Sequence, residues 1–187
     1  MEGENKNQGS KFLARISFTA LFAALTAAGT FIAIPVGPVP IVLQNFFAML
    51  SGLILGPFLG SAAVGLYLLA GILGFPVFAG ASGGIARFAG PTGGFLVGYL
   101  MAAFTAGLIA GRPDAKTSLA RLIAAVTLGF LIVYVPGVAW LKISRNLDWG
   151  RALIAGFVPF VLGDAVKGIA AVIIAPKLRR LAADYIS

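Results

Sequence analysis

Apolar residues run along this chain in long blocks, separated by short polar, proline-rich or glycine-rich punctuation. After a polar opening from Met1 to Ser10, no Asp, Glu, Lys or Arg occurs between Ile16 and Ala86. One spanning helix needs only about 20 apolar residues, so this stretch must fold back on itself inside a membrane. The blocks have helical lengths and lack the two-residue alternation of a membrane barrel, which predicts a helix bundle. Six spans follow: Ile16 to Ile34, Ile41 to Leu55, Leu59 to Leu73, Gly93 to Ala110, Leu119 to Leu141 and Arg151 to Leu178. Between the first two, Pro35, Pro38 and Pro40 remove backbone donors and bias their neighbours toward extended conformations, giving a stiff loop. Gly56-Pro57 predicts a tight turn between the second and third spans. From Phe75 to Gly94 the apolar pattern weakens around Gly80, Gly83, Gly84, Gly90 and Gly93, and backbone of that kind at membrane depth is expected to pack against protein.

Composition supports this picture and narrows the chemistry. Of 187 residues 59% are hydrophobic and 11% charged, with a mean hydropathy of +0.99. The expectation is an all-α membrane protein with a disordered cytoplasmic tail over residues 1–10 and a single six-helix transmembrane domain over 11–187. There is no Cys and no His, and only six carboxylates, which argues against a disulfide, a metal centre or a cofactor. The net charge of +8 reads as membrane topology and not as a nucleic-acid surface, because the cations gather at the ends of apolar blocks. Placing both termini in the cytoplasm puts nine cations inside, among them Lys11, Arg15, Arg112, Arg121, Lys177, Arg179 and Arg180, against four outside. Trp140 and Trp149 bracket an outer loop, as interfacial aromatics do.

Two residues break the last apolar block. Asp164 and Lys167 are the only charges between Ala152 and Pro176. A charge at the centre of a spanning helix costs about 2.5–3.5 kcal/mol on insertion scales, so such groups pair or serve a ligand. At i and i+3 they share a helix face. They can neutralise each other or line one pocket, and Gly163 and Gly168 beside them favour the pocket. Phe75, Phe78, Phe88, Tyr99, Tyr134, Phe157 and Phe160 are candidates for its apolar walls. Arg87, in the glycine-rich stretch, is either a snorkelling cation or an anion-binding group, and Thr92 is placed to cap the following helix. On the first span Ala20, Ala24 and Ala28 recur every four residues, a strip that suits close helix packing within the bundle or docking of a second membrane protein. No phosphate-loop motif occurs, so the chain does not hydrolyse ATP through one, and without His or Cys an enzyme is not expected.

Four segments carry a family resemblance: Pro38-Val39-Pro40-Ile41-Val42-Leu43-Gln44, Gly74-Phe75-Pro76-Val77-Phe78, Gly90-Pro91-Thr92-Gly93-Gly94-Phe95 and Gly163-Asp164-Ala165-Val166-Lys167. In their order and spacing they resemble the BioY family, the biotin-specific S components of energy-coupling factor transporters. The resemblance implies a multi-pass protein of the bacterial cytoplasmic membrane that binds biotin as its transported ligand under a lid formed by the first loop. It further implies Asp164 toward the ureido ring, Lys167 toward the valerate carboxylate, Arg87 at the place of a family arginine, and Tyr99 and Phe78 among the substrate-binding residues. Ala81 or Ser82 stands where some relatives place a side-chain amide. Partners implied are a transmembrane T component, docked on the Ala20, Ala24 and Ala28 strip, and two ATPase subunits. The alternatives are an ion-coupled secondary transporter of another small organic acid, with Asp164 titrating, and a membrane scaffold. Neither the internal repeat nor the paired broken helices of many secondary transporters is visible.

Overall fold

A computed structural model describes residues 2–35, 37–113 and 117–186. In chain order it contains α1 (Glu2–Gly29), β1 (Ala33–Ile34), β2 (Ile41–Val42), α2 (Gln44–Ile72), α3 (Ile85–Phe88), α4 (Gly93–Ala110), α5 (Leu119–Ser144), α6 (Trp149–Gly156) and α7 (Val158–Ile186). Five stretches of helix are long and apolar enough to cross a membrane, with α6 and α7 counted as one. The α2 stretch is two helices, because Gly56 breaks it at φ 82° and ψ −179°, so six helices make up the bundle. That backbone conformation is open only to glycine, and Pro57 follows it. Residues 52 and 60 would sit about 12 Å apart along a straight helix. Here a Cβ on Gly60 would meet the Gly52 backbone at 2.6 Å, and the Ser51 hydroxyl lies 3.0 Å from Gly60 O. The two halves therefore fold back as a hairpin, as the Gly56-Pro57 dipeptide predicts.

Three differences from the sequence expectation have simple causes. Helix α1 begins at Glu2, where a disordered tail is expected. Arg15 Nε donates to Ile186 O at 3.0 Å and Phe18 packs on Tyr185, which ties α1 to the end of α7. At its other end α1 stops at Gly29, and Ala33–Ile34 pair antiparallel with Ile41–Val42. The proline-rich loop is thus the turn of a short hairpin, held further by Leu43 N donating to Gly29 O at 3.2 Å. The last span breaks at Phe157, two residues before Pro159, where the missing N–H cannot continue the ladder.

Small residues set the packing, as expected when lipid offers no hydrophobic drive between helices. A Cβ on Gly98 of α4 would lie 2.7 Å from Val133 O of α5, and one on Gly52 would overlap Ala103 O of α4. Helix α4 is consequently clamped between α2 and α5. One topology cation proves to be internal: Arg179 is fully buried. Its guanidinium donates to Ala110 O at 3.1 Å, to Thr117 Oγ1 at 2.9 Å and to Leu53 O, gathering carbonyls at the C-terminal ends of α4 and of the first half of α2. A cation there also answers the negative end of each helix dipole.

Candidate functional site: a buried acid–base pair beneath the first loop

Asp164 and Lys167 lie one turn apart on α7, with side chains 8% and 12% exposed and a 2.9 Å contact between Lys167 Nζ and Asp164 Oδ1. The pair is not private. Asn45, in the first turn of α2, donates from Nδ2 to Asp164 Oδ1 at 2.9 Å and accepts from Lys167 Nζ at Oδ1, also at 2.9 Å. Lys167 spends its third proton on Val42 O of β2 at 2.8 Å, and the Tyr134 hydroxyl of α5 donates to Asp164 Oδ2. An ammonium has three donors and all three are used, while both carboxylate oxygens are occupied. Burial of two charges is tolerable on these terms, since each keeps its hydrogen bonds as well as its counter-charge.

Beside this network lie two small neighbouring spaces of about 20 and 10 Å³. They share Val39, Pro40, Val42, Phe95 and Tyr99, so the turn between β1 and β2 forms their common roof, with Val39 only 5% exposed. The first also meets Asn45, Tyr134, Phe160, Asp164 and Lys167; the second meets Gln44, Phe78, Ala79 and Thr92. Volumes of this size hold at most one water, so an organic ligand enters only if the roof moves.

A second polar cluster borders the smaller space. Thr30, from the end of α1, contacts Gln44 Oε1 and lies 2.9 Å from Val77 O, and the Tyr67 hydroxyl donates to Gln44 Oε1 at 3.1 Å. Thr30 thereby ties together the end of α1, the start of α2 and the segment after α2.

The sequence candidates distribute unevenly over this site. Tyr99 and Phe78 are buried and line it, and Phe78 meets Tyr67 edge-on at 5.7 Å. Tyr134 contributes a hydroxyl as well as a wall. Phe157 meets Tyr134 edge-on at 4.7 Å and lines neither space, and Phe75 is 61% exposed, away from both. Arg87 is exposed and lines neither; its Nη2 donates to Ala79 O at 3.0 Å, supporting the wall from behind. Thr92 precedes α4 without a side-chain capping bond, because its backbone is already helical. Gly163 does leave open space, but a Cβ on Gly168 would press on Val126 at 3.1 Å. Asn45, the residue that joins the two charges, carries no signal in the sequence beyond being polar in an apolar block. Ala20, Ala24 and Ala28 are all exposed on α1, whereas Thr19, Phe22 and Thr26 face inward.

The family model for the BioY family matches residues 4–184. The chain belongs to the BioY family. Among its relatives are a probable biotin transporter BioY from Pyrococcus horikoshii, 44% identical over 88% of this chain and 95% of that protein, and the biotin transporter BioY from Thermotoga maritima, 43% identical over 86% and 93%. A solved structure described as the S-component for biotin from an ECF-type ABC transporter is 34% identical, covers 89% of this chain and 91% of that one, and superposes with a TM-score of 0.81. BioY proteins are transporter components, not enzymes, and this chain is a multi-pass membrane protein of that kind.

Proposed function

We propose that this chain binds biotin and delivers it across the cytoplasmic membrane as the S component of an energy-coupling factor transporter. The observation that carries the reading is the Asp164–Asn45–Lys167 network, fully hydrogen-bonded yet placed directly beneath the Val39–Pro40 roof, in a chain whose relatives are named biotin transporters. Asp164 offers acceptors for the ureido N–H groups, and Lys167 offers donors. With the two groups 2.9 Å apart, both address the same end of an elongated ligand. Lys167 reaches the valerate carboxylate, as the resemblance implies, only by leaving Asp164. Tyr99 and Phe78 then supply walls, and Arg87 steadies Ala79 beside them.

In this reading both termini are cytoplasmic. The exposed Ala20, Ala24 and Ala28 strip of α1 meets the transmembrane T component, and two ATPase subunits below it supply the energy. The test is equilibrium binding of radiolabelled biotin to purified protein: Asp164→Ala and Lys167→Ala should each weaken it by at least about tenfold, the loss of one charge-assisted hydrogen bond. Unchanged affinity in both variants overturns the site. Uptake by liposomes holding this chain alone, abolished by a proton uncoupler, overturns the mechanism.

A further inference from the structure

On the far side of Tyr134, between α5 and α7, a groove of about 630 Å³ opens on the flank of the bundle. Its rims are Ile123 and Leu131 on α5 and Ile169 and Ile173 on α7, all 48–71% exposed. These positions fall inside the spans Leu119–Ser144 and Trp149–Ile186, so the groove faces hydrocarbon and not water. An empty apolar groove forfeits the dispersion contacts of every atom that lines it, and a bilayer offers one filler in abundance. The α7 wall from Val161 to Ile173 covers about 18 Å at ~1.5 Å per residue. That matches one leaflet, about half of a ~30 Å hydrocarbon core.

The ends of the groove differ. Its inner end is Tyr134, Phe157 and Asp164. Past Ile173, at the other end, the same face of α7 continues through Lys177 and then Arg180, four and three residues on. Both are exposed, and neither makes a hydrogen bond or ion pair among the described residues. Arg179 between them turns inward to the α4 carbonyls, and Arg121 of α5 is committed to Ile109 O.

We propose that the α5–α7 groove seats one acyl chain of an anionic phospholipid, with the phosphate held by Lys177 and Arg180. The chain then packs on the outer side of the Tyr134–Phe157 ring pair. Bound lipid thereby buttresses the hydroxyl that fixes Asp164.

The site is tested by native mass spectrometry of detergent-purified protein given equal amounts of palmitoyl-oleoyl phosphatidylglycerol and phosphatidylcholine. The expected result is one phosphatidylglycerol retained per chain under activation that strips phosphatidylcholine. Lys177→Ala/Arg180→Ala should weaken that retention by roughly tenfold or more, since each cation near a lipid surface contributes on the order of 1 kcal/mol. Thr127→Phe/Ile169→Trp, which fills the groove from both rims, should abolish it. No selective retention in the parent protein, or retention unchanged in the double alanine variant, overturns the proposal even if the groove-filled variant does not fold. So does a dimer cross-linked through Ile169, which assigns the groove to a second copy.

Discussion

Breaking the buried pair one partner at a time is the sharpest perturbation that the site offers. At 2.9 Å separation two unit charges attract by about 6 kcal/mol at an effective dielectric of ~20, and desolvation of both offsets much of that. Removing one partner from such a pair typically costs about 3–5 kcal/mol, because the other charge stays buried. Here the lower end is expected. Asp164 without Lys167 keeps the Asn45 and Tyr134 donors, and Lys167 without Asp164 keeps Val42 O and Asn45 Oδ1. Lys167→Met and Asp164→Leu should therefore each destabilise by about 3 kcal/mol, while the double variant, an apolar substitution of both charges, should cost less than the sum by about 2 kcal/mol or more. Unfolding of the purified protein in detergent, followed by tryptophan fluorescence through Trp140 and Trp149, measures all four corners of the cycle. Single variants that add to within about 0.5 kcal/mol would refute the reasoning, since the contact drawn between these side chains would then carry no energy.

Other consequences are more local. Gly98→Val drives a side chain into Val133 O and should lower stability by about 1–3 kcal/mol, whereas Gly65→Ala, with nothing within 4 Å of the new carbon, should be neutral or stabilise by up to about 1 kcal/mol; equal thermal shifts for the two would contradict the packing. Ala24→Trp, on the exposed face of α1, should leave biotin affinity of the isolated chain unchanged and abolish uptake in cells that carry the energising subunits. At the start of α6 the Asp148 carboxylate accepts from Arg151 N at 3.0 Å, and that bond, with the Arg151 charge, holds its pKa below the usual 3.8. A carboxyl lowered on folding stabilises above its unfolded value and loses that contribution as pH falls through the folded one. The protection of Arg151 N against hydrogen exchange, relative to the intrinsic rate at each pH, should thus fall on acidification through the range below 3.8, and Asp148→Asn should remove that dependence while keeping the cap.

The parts of this molecule written as local rules were legible in the sequence. Gly56-Pro57 demanded a reversal whatever its neighbours did, and the apolar blocks demanded helices because a bilayer leaves the backbone no other partner. The four motif segments resemble the family to which the chain belongs. What stayed hidden was which groups meet across elements. Asn45 looks like any polar residue near a helix start, and only the crossing of α2 over α7 aims its amide at both charges. Arg179 sits among Lys177 and Arg180 in the sequence, and nothing in the run says that one of the three turns inward; the register of α7 against the ends of α2 and α4 decides it. Tyr134 counted as a wall because its ring is apolar, yet its hydroxyl completes the carboxylate's shell. Lys167, too, does more than balance Asp164. It donates to Val42 O, the last residue of the strand that carries the roof, so anything that draws the ammonium off Asp164 also loosens the backbone that closes the site. A charge pair that only balanced itself would have no reason to reach for that strand.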